Sequence, residues 1–419
     1  MVRRLRVLII AQYFPPDMGG GATRAYNVAK GLALNNCKVT VIAAFPHYPD
    51  GNIPREYKWK PFKIERENGI TIIRTFVPPI ASKGLLRRAI LFFSFMLSSL
   101  MGLLLLKEKK VDVIWAANPN VISFFPAMIY SFFKKAPIVL NVDDLWPEDM
   151  YMLSLLKEGS LMGKIAEMLA AIAYSKSNAI TPISPGYILI VCGKYRTSRK
   201  KVHVVRAGVD PTKFKTMKTK SKSKIFRVVY SGSFSIAYDF DQVLKAAKLL
   251  EQYSSIQIIL QGRGELLPHI RKLRDKLRVG NVKIIAKSLK REDVAKLLNQ
   301  ANVLLLPLKD FGKPYLGIST KLYEYQAVGK PIICCAEGQP ADYIKYTQSG
   351  IIVKPGNYTQ LAEAILLLKE NPNLARKLGK NGMTFVAKHL TIEAIGAVSY
   401  THLRAHETEA DLVCRLLLE

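Results

Sequence analysis

Short hydrophobic runs rich in Val and Ile alternate along the chain with longer stretches whose apolar residues recur at helical spacing. This alternation is typical of βαβ units around a parallel sheet, and it occurs twice. In the first half it predicts strands at residues 6–11, 38–44, 70–75, 111–116, 138–142 and 179–182. In the second half it predicts strands at residues 227–231, 256–261, 282–285, 303–306, 331–335 and 351–353. Both halves are therefore predicted to be Rossmann-like α/β domains.

A lysine-rich segment separates the two halves. Residues 213–224 contain six Lys, no acid and almost no large apolar side chain, a composition typical of a linker. We therefore predict an N-terminal domain over residues 1–210, a basic linker over 211–225 and a C-terminal domain over 226–396. The length of 419 residues agrees with this division, since domains average about 150 residues.

The last 23 residues, 397–419, differ in composition from the rest of the chain. They contain no Lys, although Lys is frequent elsewhere, and they resemble translated adapter sequence found at the ends of reading frames assembled from environmental DNA. We therefore predict that residues 397–419 are a non-native tail outside the fold.

Residues 89–106 form an uncharged apolar run of 18 residues. As a helix this run would be about 27 Å long, close to the hydrocarbon thickness of a bilayer. A crossing is disfavoured because the strands before and after the run belong to one predicted sheet. Two alternatives remain: a buried helix, or a helix half-immersed in the cytoplasmic leaflet. Basic residues beside the run and at 193–201, with a second apolar stretch at 121–133, favour binding to anionic inner-leaflet lipid.

The composition narrows the class of protein. Sixty-two Lys and Arg against 32 Asp and Glu give a net charge of +30, which favours anionic ligands or surfaces. The five Cys are scattered and form no CxxC pair, so disulfide scaffolding and structural zinc are disfavoured. The apolar run near the N-terminus is short and lacks a cleavage site, which favours a strand of a cytoplasmic protein over a signal peptide.

A glycine-rich turn follows the first predicted strand. Gly20 and Gly21 open an amphipathic helix, and such helix starts bind phosphate through backbone N–H groups. The dinucleotide fingerprint fits poorly, because Arg24 stands at its third glycine position and the second strand ends without an acid. A nicotinamide dehydrogenase is therefore disfavoured, and the absence of a GxxxxGK[ST] sequence disfavours a P-loop NTPase.

The segment LGISTKLYEYQAVGKPII, residues 316–333, predicts a helix that Ser319 or Thr320 caps. Lys321 lies in its first turn, where the helix dipole disfavours a cation unless an anion binds there. Glu324 lies on the same face, one turn further along, where its carboxylate can accept hydrogen bonds from sugar hydroxyls. The alternative is a weak ion pair between two surface side chains.

Several motifs together resemble the family 4 retaining glycosyltransferases of the GT-B fold, over about residues 5–396. The closest resemblance is to bacterial enzymes of O-antigen, capsule and exopolysaccharide synthesis. The motifs in this chain are YFPPDMGG, PHYPDG at 46–51, DLWPE at 144–148, GVD at 208–210, SGSF at 231–234, GRGE at 262–265, and Glu324 with the GKP that follows it.

The resemblance implies two Rossmann-like domains facing across a cleft that binds a nucleotide-sugar, with UDP as the expected nucleotide. It implies that Glu324 holds the donor ribose and that Lys321, with the helix start at Ser319 and Thr320, holds the diphosphate. Gly20 and Gly21 would approach the donor from the other domain, and Ser233 lies in the donor-side SGSF motif.

The chain departs from the family pattern at two places on the donor side. Leu316 stands where many members have a second Glu. The Arg and Lys that often follow the strand matching residues 228–231 are absent as well. Lys321, and then Arg263, are therefore the candidates to meet the charge of the leaving diphosphate.

Four acids cluster after a predicted buried strand, at Asp143, Asp144, Glu148 and Asp149. Such a cluster could bind a metal or could cap a helix. The fold that the chain resembles usually needs no metal, so we expect no metal and no cofactor. We assign Asp144 to orienting the acceptor hydroxyl or taking its proton, although a donor phosphate oxygen is the alternative base. Asp143 and His47 are placed on the acceptor side.

These observations predict a retaining enzyme that moves a hexose or N-acetylhexosamine from a nucleotide-sugar to a polyprenyl-diphosphate-linked or other glycan acceptor. It would lie peripherally on the inner face of the plasma membrane. One alternative is a hydrolysing UDP-sugar epimerase of the same fold. Another is a non-catalytic anion or nucleic-acid binder, but the charge is spread along the chain and no nucleic-acid-binding motif occurs, so we expect no nucleic-acid partner.

Overall fold

The structure is a computed structural model that describes residues 4–403 except 18, 49, 82–83, 109, 119–121, 123, 218–223 and 402. The chain divides into two compact units. The first unit comprises Met1–Gly208 together with Ile392–Glu419, and the second comprises Val209–Thr391. Each unit contains one sheet with helices, which confirms the predicted α/β class.

The first unit has a seven-stranded sheet in the order β3-β4-β2-β1-β5-β6-β7. Its strands are β1 Arg6–Ile10, β2 Lys38–Ala44, β3 Phe62–Glu67, β4 Ile70–Thr75, β5 Val113–Asn118, β6 Ile138–Val142 and β7 Ala179–Pro182. All neighbours pair in parallel except β3, which pairs antiparallel with β4 across a turn at Asn68 and Gly69. The six predicted strands are confirmed, whereas the edge strand β3 was not predicted.

α-Helices of the first unit lie between these strands along the chain. They are α1 Gly20–Leu34, α2 Leu85–Ser99, α3 Met101–Leu105, α4 Phe124–Lys134, α5 Glu148–Met152 and α6 Leu161–Lys176. A buried core forms where apolar residues of α1 pack on β1, β2 and β5, with Ala25, Val28 and Leu32 facing Ile9 and Val41. Burial of this apolar surface is the main stabilising term of the unit.

The segment after Thr391 belongs to the first unit, which corrects two predicted boundaries. Residues 392–401 are helical, and this helix crosses α1 so closely that a Cβ atom on Gly31 would lie 2.6 Å from the carbonyl oxygen of Ile392. Leu403 is buried in the core beside α1. The second unit therefore ends before residue 396, and the predicted tail is not wholly outside the fold, because Ser399 and Leu403 are buried. The rest of the predicted tail, 404–419, lies outside the described residues.

The second unit has a six-stranded parallel sheet in the order β10-β9-β8-β11-β12-β13. Its strands are β8 Phe226–Ser231, β9 Ile256–Gln261, β10 Val282–Ile285, β11 Val303–Pro307, β12 Ile332–Cys335 and β13 Gly350–Val353. Its helices are α7 Phe240–Leu249, α8 Leu267–Leu277, α9 Arg291–Asn299, α10 Thr320–Ala327, α11 Gln339–Thr347, α12 Tyr358–Glu370 and α13 Pro372–His389. All six predicted strands are confirmed.

The first residues of the predicted linker are packed against the second unit. Phe214 is buried, and the backbone N–H of Met217 donates to Asn299 Oδ1 at 2.7 Å. The second unit therefore begins at Val209, earlier than the predicted 226, because these contacts are made by the apolar residues between the lysines. Residues 218–223 of the predicted linker lie outside the described residues.

The long apolar run forms α2 and α3 and presents one apolar face outward. Leu91 and Phe95 are buried against the unit, so the inner face packs as a helix of a soluble domain does. By length and composition alone, Leu86–Leu105 is long and apolar enough to cross a membrane, with a mean hydropathy of 1.9 and only 22% of the stretch buried. The predicted alternative of a fully buried helix is therefore wrong, because the outer face of α2 and α3 is exposed. The exposed large residues of this face are Leu86, Ile90, Phe93, Leu97 and Leu104.

Candidate active site

The donor-side residues follow the carboxyl ends of the central strands of the second sheet. The chain runs from β8 to β9 on one side and later returns to β11 on the other side of β8. Parallel α/β sheets bind ligands at such a switch point. Ser233 follows β8, Arg263 follows β9, and Lys321 lies between β11 and β12. The topology thus brings these predicted residues to one edge of the sheet.

Two loops at this edge are hydrogen-bonded to each other. The backbone N–H of Phe234 donates to the carbonyl of Arg263 at 2.8 Å, and the N–H of Leu266 donates to the carbonyl of Phe234 at 3.0 Å. Ser233 and Arg263 are both exposed on these loops. They are therefore accessible to a ligand at the edge of the sheet.

Helix α10 places Lys321 in its first turn, as predicted. Ser319 occupies the N-cap position, but neither its side chain nor another caps the helix, so the predicted role of Ser319 or Thr320 as a side-chain cap is wrong. Lys321 Nζ instead donates to the Tyr238 hydroxyl at 2.9 Å and lies 4.9 Å from the centre of that ring. The N–H of Leu322 donates to the Ser319 carbonyl at 3.1 Å, and among the described residues no side chain caps the other N–H groups of the first turn, which can therefore face an anion.

Gly232 lets the lysine side chain cross the loop after β8. A Cβ atom at Gly232 would lie 2.0 Å from Lys321 Cε, a distance that real atoms do not reach. A larger residue would therefore displace the lysine. Gly232 of the SGSF motif therefore leaves room for the Lys321 side chain, a role that the motif alone did not reveal.

Tyr238 is a site residue that the motif analysis missed. It is buried, and burial raises the pKa of its phenol, but the Lys321 ammonium and the hydrogen bonds from Lys321, Ser319 and Tyr230 together hold the pKa below its ordinary value. Its only sequence signal is its position in the loop where the family's usual Arg and Lys are absent. The phenol and the ammonium together form a polar pair at the start of α10.

Glu324 lies on α10 with its side chain 13% exposed and hydrogen-bonded to Arg291. Arg291 is the first residue of α9, and its guanidinium lies 4.6 Å from the centre of the Phe214 ring. The predicted alternative of a Lys321–Glu324 ion pair is not observed, because each side chain has another partner. The motif analysis did not single out Arg291.

The predicted site residues of the first unit, the donor-binding Gly20 and Gly21 and the acceptor-side residues, follow strands at the carboxyl edge of the first sheet, where β1 and β5 form the second switch point. Gly20 and Gly21 begin α1, and a Cβ atom on Gly21 would meet no atom within 4 Å. The space beside this helix start is therefore open. His47 follows β2, and Asp143 and Asp144 follow β6.

Asp17 fixes the loop that contains His47. Its Oδ1 accepts the backbone N–H groups of His47 and Tyr48, each at 2.8 Å. His47 Nδ1 lies 2.7 Å from the Phe45 carbonyl, an acceptor, so Nδ1 carries a proton. Nε2 is buried without a hydrogen-bond partner among the described residues. Burial raises the pKa of Asp17.

Arg24 links the acid cluster to α1. It is buried, its Nη2 donates to Asn141 Oδ1 at 3.0 Å, and its Nε lies 3.6 Å from Asp143 Oδ1. Burial raises the pKa of Asp143, and the Arg24 charge opposes that rise. The arginine that breaks the dinucleotide fingerprint thus serves as the counter-ion of the buried acid.

Asp144 is exposed, whereas Asp149 is half-buried. Crowding by the surrounding protein and the neighbouring Asp143 carboxylate raise the pKa of Asp144 to about 7. Burial and Asp144 raise the pKa of Asp149 to about 8. Asp149 Oδ2 also accepts the backbone N–H of Leu145 at 2.8 Å, but Leu145 precedes α5 and no described side chain caps that helix, so the predicted capping role is not observed. Among the described residues, no group of three or more His, Cys, Asp or Glu side chains could hold a metal ion.

Comparisons with known proteins agree with this geometry. Residues 18–213 match the family model described as Glycosyltransferase Family 4, and residues 211–385 match the model described as Glycosyl transferases group 1. A protein of Escherichia coli (strain K12), named as a colanic acid biosynthesis glycosyl transferase, WcaI, is 23% identical over 404 residues. That alignment covers 89% of this chain and 95% of the relative.

Solved structures share the fold. Sucrose-phosphate synthase from Thermosynechococcus elongatus superposes with a TM-score of 0.74 at 18% identity, covering 96% of this chain and 99% of that one. The Anabaena protein HepE in complex with UDP-glucose superposes with a TM-score of 0.69 at 14% identity, covering 96% and 100%. At these identities the likeness establishes the fold.

Proposed function

The chain belongs to the family 4 glycosyltransferases and has the GT-B fold, and from this premise we propose that it moves a hexose or N-acetylhexosamine from a UDP-sugar to a glycan acceptor with retention of configuration. The observation that supports this most is the pair of polar contacts along α10. Lys321 is directed to Tyr238 at the helix start, and Glu324 is held by Arg291 one turn further on. No cofactor or metal is needed for this transfer.

The start of α10 provides what a leaving diphosphate requires. The Lys321 ammonium, the uncapped N–H groups and the partial positive charge of the helix start all stabilise negative charge. Arg263, exposed on the neighbouring loop, is a second cation for the same charge. Glu324 accepts hydrogen bonds from the ribose hydroxyls. UDP is the first nucleotide to test because the HepE structure contains UDP-glucose.

The first unit is assigned to the acceptor. Asp144 would orient the acceptor hydroxyl or take its proton, and a pKa near 7 keeps a useful fraction of the carboxylate ionised at neutral pH. The donor phosphate oxygen is the alternative base. Asp143, whose Oδ1 lies 3.6 Å from Arg24 Nε, is the acid next to this carboxylate, and the buried His47 is assigned to the acceptor side as well.

Nucleotide binding by the full chain tests the donor site. We expect UDP, but not GDP, ADP or CMP, to raise the melting temperature, because a ligand at 100 times its Kd adds about 2.7 kcal/mol. No shift with any nucleotide would overturn the donor assignment.

Three substitutions test the site residues. We expect Glu324→Ala and Lys321→Ala to abolish or strongly weaken UDP binding, and Asp144→Asn to spare binding and remove transfer. Glu363→Ala and Lys345→Ala, at exposed positions of the same unit, are the matched controls. Unchanged turnover in all three site variants would refute the assignment.

The same assays separate the transferase from a hydrolysing UDP-sugar epimerase of the same fold. The epimerase releases free UDP from the donor alone, whereas the proposed transferase needs an acceptor for fast turnover. Release of UDP that does not depend on the acceptor would favour the epimerase.

We also propose that the acceptor is lipid-linked and that the enzyme works on the inner face of the plasma membrane. The outer face of α2 and α3 is apolar, and α2 packs against α4, which exposes Ile129, Phe132 and Phe133. Exposed basic residues adjoin the run on both sides, at Arg87, Arg88, Lys107 and Lys110. An apolar face bordered by cations matches an anionic interface. The relative WcaI, named for colanic acid biosynthesis, is consistent with a polysaccharide product.

The basic run at 193–201 contributes less than its composition suggests. Lys194 forms ion pairs with Glu148 at 3.0 Å and with Glu167 at 2.7 Å, so its charge is largely neutralised within the unit.

Flotation with phosphatidylglycerol vesicles tests the membrane proposal, with phosphatidylcholine vesicles as the control. Failure to float with the anionic vesicles would overturn it.

A further inference from the structure

We propose that Arg291 is a positioning residue that fixes the Glu324 carboxylate for recognition of the donor ribose, an inference that rests on the proposed function. Arg291 and Glu324 are 33 positions apart in the chain, and the fold brings them together at the beginning of α9 and the middle of α10. Nothing in the family motifs connects the two residues.

Arg291 is itself held in place. Its guanidinium lies over the Phe214 ring at 4.6 Å, and Phe214 is buried in the second unit. A cation over an aromatic face is attracted by the ring, and the planar guanidinium loses less freedom per hydrogen bond than an ammonium does. Arg291 therefore presents its donors from a defined direction, although its side chain is only partly buried.

Glu324 depends on this contact for its orientation. Among the described residues, Arg291 is the side chain that hydrogen-bonds Glu324, through Nη2 to Oε1. A carboxylate has about four acceptor positions on its two oxygens. One of them binds Arg291, and the others remain for a pair of neighbouring hydroxyls. Because the arginine fixes the plane of the carboxylate, the hydroxyl pair meets it without further loss of side-chain freedom.

Because Arg291 orients Glu324, we expect it to affect the recognition of the ribose hydroxyls rather than nucleotide binding as a whole. Removing the arginine leaves the Glu324 carboxylate in place but free to rotate. The preference for a ribonucleotide over its 2′-deoxy form then falls, because that preference depends on the orientation of the carboxylate. A merely structural role for Arg291 would weaken binding of both nucleotides equally.

The test measures the Kd of UDP and of 2′-deoxy-UDP by titration calorimetry on the full chain. The variants are Arg291→Gln, Arg291→Lys and Glu324→Gln, with Arg271→Gln as the control that removes an exposed cation from the same unit. We expect the wild type and Arg271→Gln to prefer UDP by about tenfold, the size of one hydrogen bond to a charged group. We expect Arg291→Gln and Glu324→Gln to reduce that preference to about twofold, and Arg291→Lys to restore it in part.

The outcomes distinguish this inference from the proposed function. If the wild type binds UDP with a ribose preference, and Glu324→Gln loses the preference while Arg291→Gln keeps it, the proposed function stands and the role of Arg291 is overturned. Equal weakening of both nucleotides in Arg291→Gln would overturn it as well. If the wild type does not bind UDP, the proposed donor itself fails.

Discussion

Lys321 lies at a helix start, where the dipole alone would disfavour its charge by a few tenths of a kcal/mol. The Tyr238 hydroxyl, 2.9 Å from Lys321 Nζ, and the face of the Tyr238 ring offset this unfavourable interaction with the dipole when no anion is bound. Gly232 leaves the room that the side chain needs. Two residues of the loop after β8 thus place one cation of α10 at the proposed diphosphate site.

Replacing Tyr238 with Phe tests this placement. The ring and its attraction for the ammonium remain, but the hydrogen bond to Lys321 is lost, so we expect UDP to bind about tenfold more weakly. The measurement is calorimetric titration with UDP. Tyr253→Phe is the control, since Lys369 lies 5.6 Å from the Tyr253 ring. Equal affinities in wild type and Tyr238→Phe would show that the hydroxyl does not position the lysine.

The buried acid cluster predicts a pH-dependent stability. Burial and Asp144 raise the pKa of Asp149 to about 8 in the folded protein, well above its value in the unfolded chain. The folded state therefore binds the proton more tightly, and the stability that this provides is full below pH 4 and is lost as the pH rises through about 8. Ionisation of Asp149 thus destabilises the enzyme in mild alkali.

Asp149→Asn removes this ionisation, and its amide oxygen can still accept the Leu145 N–H. We expect the variant to melt a few degrees higher than the wild type at pH 9, where at least about 1 kcal/mol of unfavourable charge is relieved, with little gain at pH 5. Glu158→Gln, at an exposed position, controls for the loss of one negative charge. A difference in melting temperature that does not change with pH would contradict the explanation.

At the scale of elements, the most informative segment is the helix over residues 392–401. It follows the second unit in sequence but packs on α1 of the first, where Gly31 and Gly396 allow the two backbones to touch. Ile392, Ile395 and Leu403 are buried there. The first unit is therefore completed by residues from the far end of the chain.

Truncation tests the contribution of this element. We expect a chain that ends at Thr391 to lose several kcal/mol of stability, since three aliphatic side chains leave the core at about 1.5–3 kcal/mol each. A chain that ends at Leu403 is expected to melt like the full chain. Within the full chain, Leu403→Ala is expected to lower the melting temperature and Val398→Ala, at an exposed position, to leave it unchanged. Equal melting of the two truncated chains would show that the segment is not part of the core.

A charge placed on the outer face of α2 is expected to change membrane binding without changing folding. The Leu97 side chain is 64% exposed, so Leu97→Glu is expected to leave the melting temperature within about 1 °C while it weakens flotation with anionic vesicles by tenfold or more. Leu367→Glu, at an exposed position of α12, is the control. Flotation that is unaffected by Leu97→Glu would exclude this face as the contact.

At the scale of the whole molecule, Lys and Arg residues occur along the sequences of both units. We expect salt to weaken the electrostatic attraction to the membrane but not the apolar contact. Flotation should therefore fall several-fold between 0.1 and 0.5 M NaCl without vanishing. UDP binding is measured in parallel to show that the protein stays folded. Complete loss of flotation at 0.5 M NaCl would indicate a purely electrostatic contact.

The sequence by itself determined every described strand except β3, the two-unit α/β class and the helix that bears Lys321 and Glu324, because hydrophobic periodicity and turn residues act over a few neighbouring positions. The edge strand β3 was missed, since half of its side chains face solvent and its charges resemble those of a loop. Only the tertiary structure decided that residues 392–403 return to the first unit and that Tyr238 and Arg291 meet Lys321 and Glu324. The physical reason is that these contacts join residues distant in the chain, and they depend on which strand ends lie side by side in each sheet.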